Sequence, residues 1–282
     1  MNLRYIFARS VRHFMPDAWA RYLLRRGLVI RPGQETSDPQ SALRRYEESL
    51  AARGTSFSGK RVMIFGYGGS FAVGCGLLEL GARHVVLCDR YAPPDDRLNE
   101  SLLPKYSAYV ARENGQITPR AEYLSVLNAD IREAKPSRDE AKFDMILSTC
   151  VYEHLDDAEG VTGALASWTS SRGLNLHLID LRDHYFKYPF EMLCYSESTW
   201  KTWLNPGSNL NRFRLQDYRK AFERHFTELD IQVVSRDEEA FNNALPRIRP
   251  EFLTGDIVID AVTMIQVTAS NGNKPTTGGQ EL

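Results

Sequence analysis

The sequence predicts an α/β protein with a mostly parallel sheet, and three observations carry that expectation. Residues 62–65, Val-Met-Ile-Phe, form an unbroken apolar run that suits a strand buried on both faces. Gly66, Gly68 and Gly69 follow at once, and residues 71–80 then carry apolar side chains at helical spacing up to a stop at Gly81. A second apolar run, 84–88, ends on Asp89. A carboxylate about 20 residues past a glycine turn, at the carboxyl end of the second strand, can accept ribose hydroxyls.

Nucleotide-type βαβ units differ in their glycines. The dinucleotide pattern G-x-G-x-x-G started at Gly66 needs glycine at 71, where Phe71 stands, and no G-x-x-x-x-G-K-[ST] phosphate loop is present. The turn together with Asp89 resembles motif I of the class I S-adenosylmethionine-dependent methyltransferases. In that resemblance Asp89 is the ribose-binding acid, and Gly66, Tyr67, Gly68, Gly69 and Arg90 belong to the same cofactor site. The chain departs from the family at Ile64, where an acidic residue is usual, and at Ser70, where glycine is usual.

Composition bounds the remaining choices. The chain has 282 residues, 43% hydrophobic and 25% charged, the balance of an ordinary globular protein able to bury a core. A net charge of −1 gives no overall field for holding nucleic acid or a membrane. Cys75, Cys88, Cys150 and Cys194 show no C-x-x-C spacing, which fits a reducing compartment and no zinc site. No apolar run approaches the ~20 residues of a membrane span, so a cytoplasmic protein is expected.

Along the chain, residues 1–58 read as an N-terminal helical extension. Within 1–31, Arg4, Arg9, Arg12, Arg21, Arg25, Arg26 and Arg31 stand against Asp17 alone, interleaved with Tyr5, Phe7, Phe14, Trp19 and Tyr22. Such a segment either docks on the domain or a partner with its arginines in water, or lies at the inner membrane face against anionic lipid. Pro32-Gly33 marks a turn and 41–53 an amphipathic helix. Past Asp89, helical sequence is expected near 102–113 and a third strand at 123–127. Strands four and five are expected at 143–147 and 173–180, a helix at 215–226, and strands six and seven at 229–234 and 261–268. Residues 59–269 would form the main domain, and 270–282, rich in Gly and Thr, a disordered tail.

The run FDMILSTCVYEHLDD, 143–157, resembles the family's segment after strand 4, often of the form S-x-x-V-L-E-H. The resemblance covers 62–157 and implies a Rossmann-like, seven-stranded, mostly parallel sheet with helices on both faces and an antiparallel last strand. It also implies S-adenosyl-L-methionine as cofactor, with Asp130 at the adenine amino group, Ile131 on the ring face and Ser148 in the same site. Taken alone, Asp130 reads equally well as a helix cap.

Ligand crevices in open α/β sheets lie outside the carboxyl ends of the strands, which gathers His154, Asp180, Asp183 and His184. A hydroxyl acceptor needs its proton removed, and histidine is the commonest base near neutral pH. His154 is the first candidate, His184 the second, with Asp183 or Asp180 to orient the imidazole. His184 with the two aspartates has no established ligand spacing, so no metal is expected. His177, inside the fifth strand, reads as a core histidine. Residues 185–215 mix aromatics with Asn and Arg and suit an acceptor wall, with Tyr185, Trp200, Trp203 and Arg212 as its contacts, or a lid whose aromatics are core. The expected activity is O-methylation of a small-molecule or glycan hydroxyl, with no nucleic-acid substrate. The alternatives are N-methylation of a small amine and a methyltransferase-like binding protein without catalysis.

Overall fold

The computed structural model describes residues 2–16, 19, 38–136, 142–185 and 187–271. Among these, seven strands form one sheet: β1 (Arg61–Phe65), β2 (His84–Cys88), β3 (Leu124–Leu127), β4 (Phe143–Thr149), β5 (Thr169–Asp180), β6 (Glu228–Arg236) and β7 (Val262–Ser270). Their order is β3-β2-β1-β4-β5-β7-β6. β1 through β5 run parallel, with Val62 opposite both Val85 and Met145, whereas β7 is antiparallel to β5 and β6. The expected Rossmann-like sheet with its antiparallel last strand is therefore present. The strand order reverses between β1 and β4, which opens a crevice at their carboxyl ends.

Helices cover both faces. α1 (Leu3–His13) and α2 (Pro39–Ala51) precede the sheet; α3 (Ala72–Glu79), α4 (Ala158–Trp168), α5 (Leu215–Glu223) and α6 (Glu238–Ala244) follow along the chain. α2 starts where Asp38 caps the Ser41 amide at 3.0 Å and Pro39 takes the first turn, where a missing N–H costs nothing. Leu43, Tyr46 and Leu50 of α2 pack with Val73, Cys75 and Leu77 of α3 on one face of the sheet. The two helices approach closely because Gly76 has no side chain: a Cβ there would lie 2.2 Å from Leu43 Cδ1. On the opposite face Val161 and Leu165 of α4 and Tyr218 and Phe222 of α5 close a second core.

A third core lies beyond the sheet. It joins Tyr5 of α1 to Phe190, Trp200, Leu204 and Leu210 and to Phe241 and Ala244 of α6. Three separated stretches of sequence thus build one cap.

One expected element changes type. Helical turns at Asp96–Glu100 and Leu103–Tyr106 stop short of 113, and Val110–Glu113 pairs with Gln116–Pro119 as a hairpin. Asn114 and Gly115 at the tip have φ of 51° and 83°, the left-handed pair that a tight two-residue turn demands. The Asn-Gly dipeptide outweighs the helical spacing before it. α4 and α6 add to the expected elements. The Pro32-Gly33 turn, Arg21, Tyr22, Arg25, Arg26, Arg31 and the tail 272–282 lie outside the described residues, while Ser270 still belongs to β7. Among the described residues no helix is long and apolar enough to cross a membrane.

Candidate active site at the carboxyl edge of the sheet

The turn after β1 holds Gly66, Gly68 and Gly69 at φ of 82°, 65° and 84°, a backbone path closed to most L side chains. A Cβ on Gly69 would sit 2.8 Å from the Pro93 carbonyl oxygen, so the next loop is pressed directly against the turn. Asn99, fully buried, fastens it: its amide donates to the Gly69 carbonyl (2.9 Å) and its oxygen accepts from the Phe71 amide (2.8 Å). Nothing in the sequence pattern marks Asn99, since it lies in an unremarkable polar helical turn.

Asp89 closes the opposite side. Its Oδ1 accepts from the Tyr91 and Ala92 amides (2.8 and 2.9 Å) and its Oδ2 from Gly68 (3.2 Å). A carboxylate has about four acceptor positions, so Oδ2 keeps one for a ligand hydroxyl. Tyr67 is buried with its ring stacked on Phe71 (6.4 Å), and its hydroxyl has no hydrogen-bond partner among the described residues. A strained glycine cradle, an orphaned hydroxyl and an acid with acceptor capacity left are a fit for a nucleoside ligand.

Asp130 sits at the end of β3, but its carboxylate is gripped by Arg132 (Nε 3.0 Å, Nη2 2.7 Å) and by Arg90 (2.6 Å). These bonds, led by Arg132, hold its acidity at about 2. Arg90 is thereby tied to Asp130. Ile131 is buried in the second core, and Ser148 is fully buried with its hydroxyl 2.8 Å from His177 Nδ1. His177 is the core histidine that its place in the strand predicts.

The end of β4 turns sharply. Cys150 adopts φ 55°, and Tyr152–His154 forms a single 3₁₀ turn. His154 Nδ1 lies 3.0 Å and 2.7 Å from the carbonyl oxygens of Ser208 and Asn209. Carbonyls only accept, so Nδ1 carries the proton and Nε2 keeps its lone pair. The His154 ring meets that of His184, which follows β5, at 4.9 Å edge to face. Glu153, fully buried, completes the group: its Oε1 is 3.9 Å from His184 Nε2. Neither carboxylate oxygen has a well-formed hydrogen bond among the described residues. Burial pushes Glu153 well above the usual carboxylate range, lowers His154 and takes His184 down to about 4.

Neither aspartate orients these rings. Asp183 is fully buried and spent on Arg9 and the Tyr5 hydroxyl of α1, and it also accepts from the Tyr185 amide (2.7 Å). Asp180 is held by Arg182 through Nε (2.9 Å) and Nη2 (2.7 Å). The residue beside the histidines is Glu153, whose signal was the Glu-His pair after strand 4.

The stretch 185–215 divides between lid and wall. Trp200 is corrected to core: it is 1% exposed and its indole donates to the Leu210 carbonyl at 3.1 Å. Arg212 is likewise structural, at φ 59° and buried, with its guanidinium on the Met192 and Tyr195 carbonyls (3.1 and 2.7 Å) and on Glu197. The asparagines serve the turn instead of a ligand. Asn211 donates to the Tyr152 and Leu155 carbonyls (2.7 and 3.1 Å), and Asn209 donates to that of His154 (3.1 Å). Trp203 and Tyr185 remain accessible, Trp203 against Phe14 at 5.8 Å.

The β3-β2-β1-β4-β5-β7-β6 order, the glycine cradle and the acid after β2 together define the fold of the class I S-adenosylmethionine-dependent methyltransferases. Solved structures agree. The Burkholderia thailandensis 1,6-didemethyltoxoflavin-N1-methyltransferase, determined with 1,6-didemethyltoxoflavin and S-adenosylhomocysteine, matches with 14% identity and a TM-score of 0.51, over 97% of this chain and 92% of that one. YcgJ of Bacillus subtilis matches with 10% identity and a TM-score of 0.50, over 82% of this chain and 98% of that one. No protein-family model and no curated protein matches the sequence.

Proposed function

We propose that the protein is an S-adenosylmethionine-dependent methyltransferase acting on a hydroxyl of a small molecule or glycan. The observation that carries this reading is the placement of two histidines, one with its tautomer fixed, at the sheet edge that also holds the glycine cradle and Asp89. The sulfonium, when bound, supplies the methyl group together with its own thioether leaving group. Gly66–Gly69 and Asp89 hold the nucleoside end. The proposed place of the acceptor is beside the two histidines and the accessible Tyr185, where the lone pair of His154 Nε2 can take a hydroxyl proton. Because the methyl donor is already activated, alignment provides much of the rate.

Isothermal titration with S-adenosylhomocysteine tests the cofactor half. Asp89→Ala should weaken binding by about 1.5–3 kcal/mol, the scale of hydrogen bonds to a charged acceptor, and unchanged affinity would remove Asp89 from the site. A methyl-transfer screen over sugars, hydroxylated metabolites and small amines tests the acceptor. Amines are included because the toxoflavin-type neighbour is named for methylation at a nitrogen. Tight cofactor binding with no transfer to any acceptor class would favour a non-catalytic binding protein.

We also propose that the protein works at the cytoplasmic face of a membrane. α1 turns Tyr5 and Arg9 inward and leaves Leu3, Phe7 and Val11 exposed, Phe7 by 73%, and the stripe continues into Phe14 just past the helix, with Trp203 beside it. Arg4 and Arg12 flank that stripe and residues 2–16 contain no acid, which suits anionic headgroups. Phe7→Ser/Phe14→Ser should abolish co-sedimentation with phosphatidylserine-containing vesicles. Equal sedimentation of wild type and variant would dismiss the idea.

A further inference from the structure

Glu153, His154 and His184 each offer one donor atom within 4.8 Å of the other two. Three facts favour a ligand at this trio. Glu153 is 3% exposed, yet its two oxygens lack well-formed partners among the described residues. The nearby guanidiniums are already committed, Arg9 to Asp183 and Arg182 to Asp180. His154 donates from Nδ1 to backbone carbonyls, the arrangement that presents Nε2 as a ligand and raises its basicity.

We propose that Glu153, His154 and His184 bind a divalent cation at the carboxyl edge of β4 and β5. Two imidazoles and one carboxylate suit Zn²⁺, Mn²⁺, Fe²⁺ or Co²⁺, and three protein ligands leave positions open for a further oxygen. Donors around a four-coordinate ion with ~2.1 Å bonds stand roughly 3.4 Å apart, so the trio closes by about an ångström on binding. This refinement rests on the methyltransferase reading and specifies how the acceptor is activated. The acceptor oxygen takes an open position on the ion and loses its proton to solvent, while Nε2 of His154 holds the ion instead of the proton. The oxygen then bonds to the methyl carbon as the carbon–sulfur bond breaks, leaving its electron pair on sulfur. No oxidant or reductant enters.

Full-length protein, stripped with chelator and dialysed, is titrated calorimetrically with ZnCl₂ and with MnCl₂. One ion per chain is expected, with a rise in melting temperature. Glu153→Gln, His154→Ala and His184→Ala should each weaken binding at least tenfold and abolish the thermal shift, while S-adenosylhomocysteine affinity stays within twofold of wild type. Circular dichroism of His154→Gln, which keeps a side chain able to donate to the Ser208 and Asn209 carbonyls, separates loss of the ion from loss of fold. Failure of wild type to bind either ion, or wild-type affinity in all three variants, overturns the site. Loss of S-adenosylhomocysteine binding by wild type would instead defeat the methyltransferase reading and leave the ion titration to stand by itself.

Discussion

His177 shows how a single buried residue writes itself into the stability of the molecule. It is fully enclosed between the Tyr152 ring (4.8 Å) and the Phe222 ring (5.5 Å), with Nδ1 on the Ser148 hydroxyl. Burial lowers its pKa to about 3, whereas an unfolded histidine titrates near 6.5. Between those values the unfolded chain takes up a proton that the folded one refuses. Stability is therefore fully present above pH 6.5 and falls as pH drops through the window. From pH 7.5 to 5.5 this group alone should remove about 1.4 kcal/mol. His177→Gln should lack that component when urea unfolding is measured at both pH values, and identical pH dependence would mean that His177 protonates in place. The sequence revealed this residue's role from its position inside an apolar strand. It did not reveal Glu153, because a carboxylate after strand 4 looks the same on paper whether solvated or sealed. Asp183 misled for the converse reason: adjacency to His184 suggested an orienting partner, and only the fold shows Arg9 and Tyr5 occupying it.

At the scale of elements, periodicity and turn chemistry located most of the sheet. The runs at 62–65, 85–88 and 145–147 are continuous and apolar because their strands are covered on both faces, so they stood out. The 102–113 stretch failed because helical spacing before Leu103 says nothing about a turn eleven residues on, where Asn114-Gly115 reverses the chain. Packing between elements was not readable at all. Gly76 lies inside α3, where glycine ordinarily weakens a helix, and its value appears only where Leu43 of α2 fills the space above it. Gly76→Ala should therefore destabilise the protein by about 1–3 kcal/mol despite better helix propensity, measurable by chemical denaturation. A stabilised variant would show that α2 can shift outward at no cost.

Over the whole molecule, the cap is what the sequence concealed most completely. Amide and aromatic side chains in 185–215 suggested ligand contacts, yet Asn209 and Asn211 hold the 152–155 turn and Trp200 fills the third core. Those positions are set by chain segments far apart in sequence, which local pattern cannot relate. The anchor of that cap is the buried group Tyr5–Arg9–Asp183. Removing one partner leaves an uncompensated charge in the interior, so Arg9→Met should cost about 3–5 kcal/mol. Arg9→Met/Asp183→Asn should recover much of that loss. Equal destabilisation in the single and double variants would mean that the pair is not coupled.

That same ion pair also sets a timetable. Arg9 leaves the ribosome well before Asp183, its neutralising partner, which follows 174 residues later. Until then α1 has nowhere to bury a guanidinium, since desolvating an unpaired cation is prohibitive. β1 to β4 are all synthesised before Asp183 emerges, and the outer stripe of α1 is apolar throughout that interval. α1 is thus made before its partner and settles after it, and during that interval it is available to whatever apolar surface lies nearest the growing chain.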